Sequence, residues 1–307
     1  MPVQCVCAPA TSVKRDTGDM TLTPERAPIS DPARTAETHD RHLAVGGQRI
    51  RVRYRPGVGI PLVLCNGIGA SLEILGPLVE QLDPTRPVVR FDAPGTGESP
   101  PSLLPYGFPY LAWVLGRVLD RLEIEVVDVL GFSWGGALAQ QFAFQNPRRC
   151  RRLILVGSGT GAVMVPGSPK VLSKMMTPKR FNDPSYGASI AGEIYGGSVR
   201  DSGQPVAELF LRQLHAGSGK GYAHQLLAGA AWTSLPALPA IRQKTLIIAG
   251  TDDPIIPMAN AHVLKTLLPR AILHTHDGGH IDLVLNADVF GPLIDDFLGP
   301  TKPLRHK

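Results

Sequence analysis

Short apolar runs recur along the chain, separated by longer stretches in which apolar positions return with helical spacing. The runs at 61–65, 88–92, 126–130, 152–156, 245–249 and 271–276 predict strands. The stretches at about 72–82, 110–122, 135–146, 260–268 and 288–298 predict helices. Strands of continuous apolar character that alternate with helices call for a mostly parallel central sheet with helices on both faces, an α/β fold. Upstream, two alternating segments at 42–45 and 48–54 flank Gly46-Gly47 and predict a hairpin, which adds antiparallel edge strands.

Two intervals break the rhythm. Residues 1–41 are rich in Pro, Thr, Ala and charge without periodicity, and read as a disordered leader. Between about 158 and 242 no strand of comparable quality occurs, only Gly-, Pro- and Met-bearing pieces with short helical stretches. A structureless loop of that length is rare inside a domain, so the interval predicts a cap inserted into the 42–298 domain. Residues 299–307 read as a tail.

Composition narrows the class. The chain has 307 residues, 43% of them hydrophobic and 19% charged, which describes an ordinary globular protein with a sizeable core. Its net charge of +5 gathers in two Arg-rich patches: Arg49, Arg51, Arg53 and Arg55, and Arg148, Arg149, Arg151 and Arg152. The first alternates like the wet face of a strand, and the second follows a helix end, where cations suit the dipole. No aromatics interleave with either, so solvated faces are expected rather than a nucleic-acid partner. The cysteines Cys5, Cys7, Cys65 and Cys150 form no CxxC pair and no disulfide framework. No metal site and no cofactor are expected. Without a secretory signal or a run of transmembrane length, the expected location is the cytoplasm.

Chemistry concentrates in Gly131-Phe132-Ser133-Trp134-Gly135, where an apolar strand stops at one serine and a helix-forming run follows at once. A sharp strand–turn–helix elbow lifts such a hydroxyl clear of the backbone and makes Ser133 a candidate nucleophile. A serine needs a base, and the base an orienting acid. In this architecture acid and then base follow the serine in chain order. Gly250-Thr251-Asp252-Asp253 and Asp277-Gly278-Gly279-His280, each after a late strand, supply them. Asp253 is preferred as the acid, with Asp252 assigned to the turn. His280 alone among the histidines follows a late strand inside a Gly-rich turn; His274 and His276 read as structural, and His215 and His224 fall in the cap. Backbone N–H groups of Trp134 and of Ile68, in Asn66-Gly67-Ile68-Gly69, are the candidate oxyanion donors. The Gly95-x-Gly97 turn lacks the third glycine and the lysine of nucleotide-binding loops and reads as structural.

Asn66-Gly67-Ile68-Gly69, Asp92-x-x-Gly95-x-Gly97-x-Ser99, Gly131-x-Ser133-x-Gly135, Gly250-x-x-Asp253 and Gly279-His280 together resemble the α/β-hydrolase superfamily. Within it the chain resembles intracellular depolymerases of medium-chain-length poly(3-hydroxyalkanoates). Cys65 to Ala70, Ser133 to Phe142, Gly161 to Gly167, Ile194 to Gly197 and Ala231 to Ser234 carry that likeness. The resemblance implies a Ser133–Asp253–His280 triad and cleavage of polyester ester bonds, with a polymer granule surface as partner.

The cap is compatible with this. Val163, Met164, Val165, Leu172, Met175, Met176, Leu226 and Leu227 either line an apolar approach to the serine or form the cap's own core. Met164, Val165 and Met175 are the named candidates for substrate contact. Other readings keep the scaffold and change the task. They are a small-molecule or lipid carboxylesterase, an acyltransferase, and a granule-binding protein without turnover. The synthases that the chain resembles carry cysteine at the elbow, which counts against acyl transfer.

Overall fold

The computed structural model describes residues 38–176, 179, 183–202 and 217–302. Cys5, Cys7, His215, residues 1–37 of the expected leader and 303–307 of the expected tail lie outside them. The strands are β1 (His39–Val45), β2 (Gln48–Arg55), β3 (Leu62–Cys65), β4 (Val88–Phe91), β5 (Val127–Phe132), β6 (Cys150–Val156), β7 (Lys244–Gly250) and β8 (Ala271–His276). They form one sheet in the order β1-β2-β4-β3-β5-β6-β7-β8. The hairpin pairs antiparallel with itself and with β4, and every other pairing is parallel.

The helices are α1 (Gly76–Gln81), α2 (Phe108–Arg121), α3 (Trp134–Gln145), α4 (Pro169–Met175), α5 (Pro184–Tyr195), α6 (Gly197–Ser202), α7 (Gly219–Ala230), α8 (Met258–Leu267), α9 (Asp282–Leu285) and α10 (Ala287–Leu298). Each sheet face buries its own core. Val127 and Val129 of β5 pack with α2 and α3, whereas Leu130 and Phe132 pack with α1 and α10. This explains the unbroken apolar character of the central strands: both faces are covered. Helices α4 to α7 lie in the interval predicted as an insertion, between β6 and β7.

After β3 the chain moves outward to β4, then returns past β3 to lay down β5. The order therefore reverses between β3 and β5, and a crevice opens beyond their carboxyl ends. The loop after β3 carries Asn66 to Gly69, and the turn after β5 carries Ser133.

Four details differ from what the sequence predicts. Strand β1 begins at His39, inside the segment assigned to the leader, because Asp40 accepts hydrogen bonds from Arg51 and Arg53 of β2. Arg51 is not on a wet face: it is 6% exposed and reaches Asp40, Glu73, Asp92 and Glu98. Helix α1 is shorter than predicted, because Leu72 donates its N–H to Asp92 and Ser71 to Gly76 form successive turns. The second Arg patch holds helix ends of other elements. Arg149 donates to the carbonyls of Gly116, Ile124 and Glu125 around the end of α2, and Arg151 and Arg152 reach the carbonyl of Leu298.

Candidate active site

Ser133 joins β5 directly to α3 and takes φ 54° and ψ −120°. A non-glycine residue there is strained, by roughly 1–3 kcal/mol, and the surroundings enforce it. A Cβ built on Gly135 would strike the carbonyl oxygens of Cys65 and Asn66, and one on Gly136 would strike Ser158. Only glycines let α3 start so close to β3. Ser158 Oγ then donates to the Ser133 carbonyl at 3.1 Å, and Gln140 donates to the carbonyls of Gly136 and Gly159.

The late loops meet this elbow. His280 Nε2 stands 2.8 Å from Ser133 Oγ, and His280 Nδ1 stands 2.7 Å from Asp253 Oδ2. A carboxylate only accepts, so Nδ1 carries the proton and Nε2 is left to accept from the serine hydroxyl. Asp253 is buried, and its Oδ1 accepts the N–H groups of Ile255 and Ile256, each at 2.9 Å. Gly157, at the end of β6, leaves the room: a Cβ there would stand 3.2 Å from His280 Nδ1 and 3.5 Å from Asp253 Oδ2.

Asp252 points the other way. Its Oδ2 accepts the Gly197 N–H at 2.8 Å and pairs with Arg200 at 2.7 Å, so it ties α6 to the acid loop rather than merely stabilising its own turn. The cap is also tied to the histidine, whose N–H donates to the Tyr195 carbonyl at 2.7 Å. Asp282 accepts the Gly279 N–H and the Ser198 hydroxyl, which fixes the turn preceding His280.

Trp134 is the first residue of α3, where an N–H has no intrahelical partner and the helix dipole favours negative charge. Gly67 brings the β3 loop alongside: a Cβ on it would lie 3.6 Å from Ser133 Cβ. Ile68 borders the same space as Ser133 and Trp134.

That space is a cavity of about 540 Å³. Met164, Leu172, Met175, Met176, Leu226 and Leu227 face it, and no charged side chain does among the described residues. Val165 does not: it is 43% exposed, and its N–H and carbonyl are both held by the Asn260 amide. Val163 also turns outward, because the Gly161–Met164 turn presents Met164 to the interior instead. His224 is buried against Ser102 and Tyr106, away from the cavity. His276 packs on Phe290, where burial pushes its pKa down. Cys65 and Cys150 are free thiols whose pKa burial pushes up.

Gly157, Ser158, Gln225 and Asp282 carry no motif and were not singled out from sequence. The one available signal was that Gly157 and Ser158 follow a strand at the carboxyl edge of a parallel sheet. Among the described residues no cluster of three or more metal-ligating side chains occurs, and no helix is long and apolar enough to cross a membrane.

An elbow serine after the central strand, with acid and base on later strands of the same edge, goes with one family of folds, and the family model for the alpha/beta hydrolase fold matches residues 60–287. The chain belongs to that family. A poly(3-hydroxyalkanoate) depolymerase of Ectopseudomonas oleovorans is 45% identical over 84% of this chain and 92% of its own length. A 2-hydroxymuconate semialdehyde hydrolase of Pseudomonas sp. strain CF600 is 28% identical over 84% of this chain and 93% of its own. The crystal structure of the enol-lactonase from Burkholderia xenovorans LB400 superposes with a TM-score of 0.73 at 25% identity, covering 84% of this chain and 99% of that one.

Proposed function

We propose that this protein hydrolyses the ester bonds of an aliphatic polyester of the poly(3-hydroxyalkanoate) type, with Ser133, His280 and Asp253 as its catalytic residues. Ser133 Oγ attacks the ester carbonyl while His280 Nε2 takes its proton, and Asp253 stabilises the imidazolium. The carbonyl oxygen, now an oxyanion, accepts from the N–H groups of Ile68 and Trp134. As the tetrahedral centre collapses, the alcohol leaves with the proton from His280. Water, deprotonated by His280, then attacks the acyl-serine, and collapse of this second tetrahedral centre returns the proton from His280 to Ser133 Oγ and releases the acid.

The observation that carries this reading is the hydrogen-bonded row Asp253–His280–Ser133 opening onto an apolar cavity that no charged side chain lines among the described residues. Such a lining suits aliphatic side chains and offers nothing to a charged substrate. The identity to the depolymerase supports the polymer over a small ester.

In this reading the enzyme works inside the cell at a granule surface. Leu103 and Leu104 supply the first contact: they are 86% and 76% exposed. Their loop is pinned by Ser102, whose hydroxyl donates to the Leu104 carbonyl, and by Lys220 on the Leu103 carbonyl.

Product analysis after incubation with dispersed polyesters tests the reading. Hydroxy acids are expected in solution. Their absence from every polyester, with p-nitrophenyl esters still cleaved, would transfer the assignment to a small-molecule carboxylesterase. A Leu103→Ser/Leu104→Ser double variant should lose turnover on the polymer and keep it on soluble esters; equal loss on both would remove the surface contact from the account.

A further inference from the structure

Gln225 of cap helix α7 is 1% exposed and touches both loops that carry the candidate oxyanion donors. Its side-chain Oε1 accepts the Gly69 N–H at 2.6 Å, and its backbone carbonyl accepts Trp134 Nε1–H at 3.0 Å. We propose that Gln225 is the positioning residue of the oxyanion site: it anchors the peptide that follows Ile68, and so holds Ile68 itself, and with it the N–H of the preceding peptide, in place. This rests on the reading of Ile68 and Trp134 as oxyanion donors.

Gly69 has φ 69°, a region that glycine enters freely and leaves as freely. The Ile68–Gly69 peptide is therefore easy to flip unless something holds it. A flip would turn the Ile68 carbonyl toward Gln225 Oε1 and set two acceptors against each other in a buried place, which costs the unmade hydrogen bond as well as the repulsion. With Oε1 as acceptor only one peptide orientation is satisfied.

The orientation of the Gln225 amide is itself determined. Tyr106 donates its hydroxyl proton to the Pro94 carbonyl at 2.8 Å, so its oxygen is free to accept. Burial pushes the Tyr106 pKa up, and a hydrogen bond from Gln225 works against that rise. Gln225 Nε2 thus faces the phenol and Oε1 faces Gly69. The bonds of Gln225 run to the oxyanion loop through Gly69 and to α3 through Trp134, with the Tyr106 phenol beside its amide. Leu226 and Leu227, the next residues of α7, face the cavity, so the helix that feels the acyl chain also holds the loop that serves the oxyanion.

The test is steady-state kinetics on a soluble medium-chain p-nitrophenyl ester, together with the affinity of an alkyl trifluoromethyl ketone, whose serine adduct carries an oxyanion. Gln225→Met keeps the volume and removes the acceptor. It should lower kcat by about 10- to 100-fold, part of the roughly 10²–10³ that loss of an oxyanion donor costs. KM should stay within about twofold, and ketone affinity should fall in step with kcat/KM. Tyr106→Phe leaves Gln225 in place but frees its amide, and should lower kcat by a smaller factor in the same pattern. If Gln225→Met raises KM while kcat and ketone affinity hold, Gln225 is only cavity wall and the proposal is overturned. If Gln225→Met does not fold, Tyr106→Phe decides, and an unchanged kcat there overturns it. Ser133→Ala, run alongside, separates the two levels: hydrolysis that survives it removes the catalytic reading itself.

Discussion

Asp253 spends one carboxylate oxygen on His280 and the other on two backbone N–H groups, which leaves its plane no freedom to rotate. Asp252, its neighbour, faces Gly197 and Arg200. Asp253→Asn should therefore lower kcat by about 10⁴, because an amide stabilises the wrong imidazole tautomer and no imidazolium. Asp252→Asn should keep kcat within a few-fold. Steady-state rates on one soluble ester check both, and the reverse ranking would exchange the roles of the two acids. The serine, histidine and acid were legible because each sits in its own glycine-rich turn after an apolar run. Val165 was misplaced because an apolar residue in a turn gives no sign of which way it faces; the Asn260 amide that holds it lies in α8, far along the chain.

Among the elements, the parallel strands were legible for a simple reason: residues buried on both faces leave a continuous apolar run. The hairpin was harder. Alternation distinguishes two faces of β2 but not whether a charge meets water, and Arg51 finds its partners on β1, before α1 and after β4. The cap gave helical pieces without periodicity strong enough to place them. Its apolar lining bounds what the serine can reach. Met164→Trp, which fills the cavity beside Gly159, should cut kcat/KM on long-chain p-nitrophenyl esters by about tenfold or more while acetate and butyrate esters are spared. A uniform loss across chain lengths would mean that acyl chains lie elsewhere.

For the whole molecule, the sheet's change of direction between β3 and β5 brings the Ile68 loop and the Ser133 turn to one edge, and β6, β7 and β8 add the room, Asp253 and His280 in succession. Stability at the other end of the sheet depends on buried charge. Burial raises the Asp92 pKa to about 6, while the N–H groups of Glu98 and Leu72 and the charge of Arg51 hold it down and Glu73 adds to the rise. The folded state then binds a proton that the unfolded chain releases between about pH 4 and 6, so Asp92 favours folding increasingly as pH falls through that window. Asp40 runs oppositely. Its hydrogen bond to Arg53 is the leading cause that lowers its pKa to about 2, so its contribution is present above about pH 4 and is lost below. Denaturant unfolding should show wild type gaining stability relative to Asp92→Asn as pH drops from 6 to 4; a constant difference would contradict the assignment. In the proposed function Ser133 is the residue that opens the polymer. Titration with a fluorophosphonate, its site located by peptide mass spectrometry, tests this against hydroxy-acid release from dispersed polyester. One label per chain, on Ser133, should extinguish release in proportion to the labelled fraction. Release that persists in fully labelled protein would contradict it.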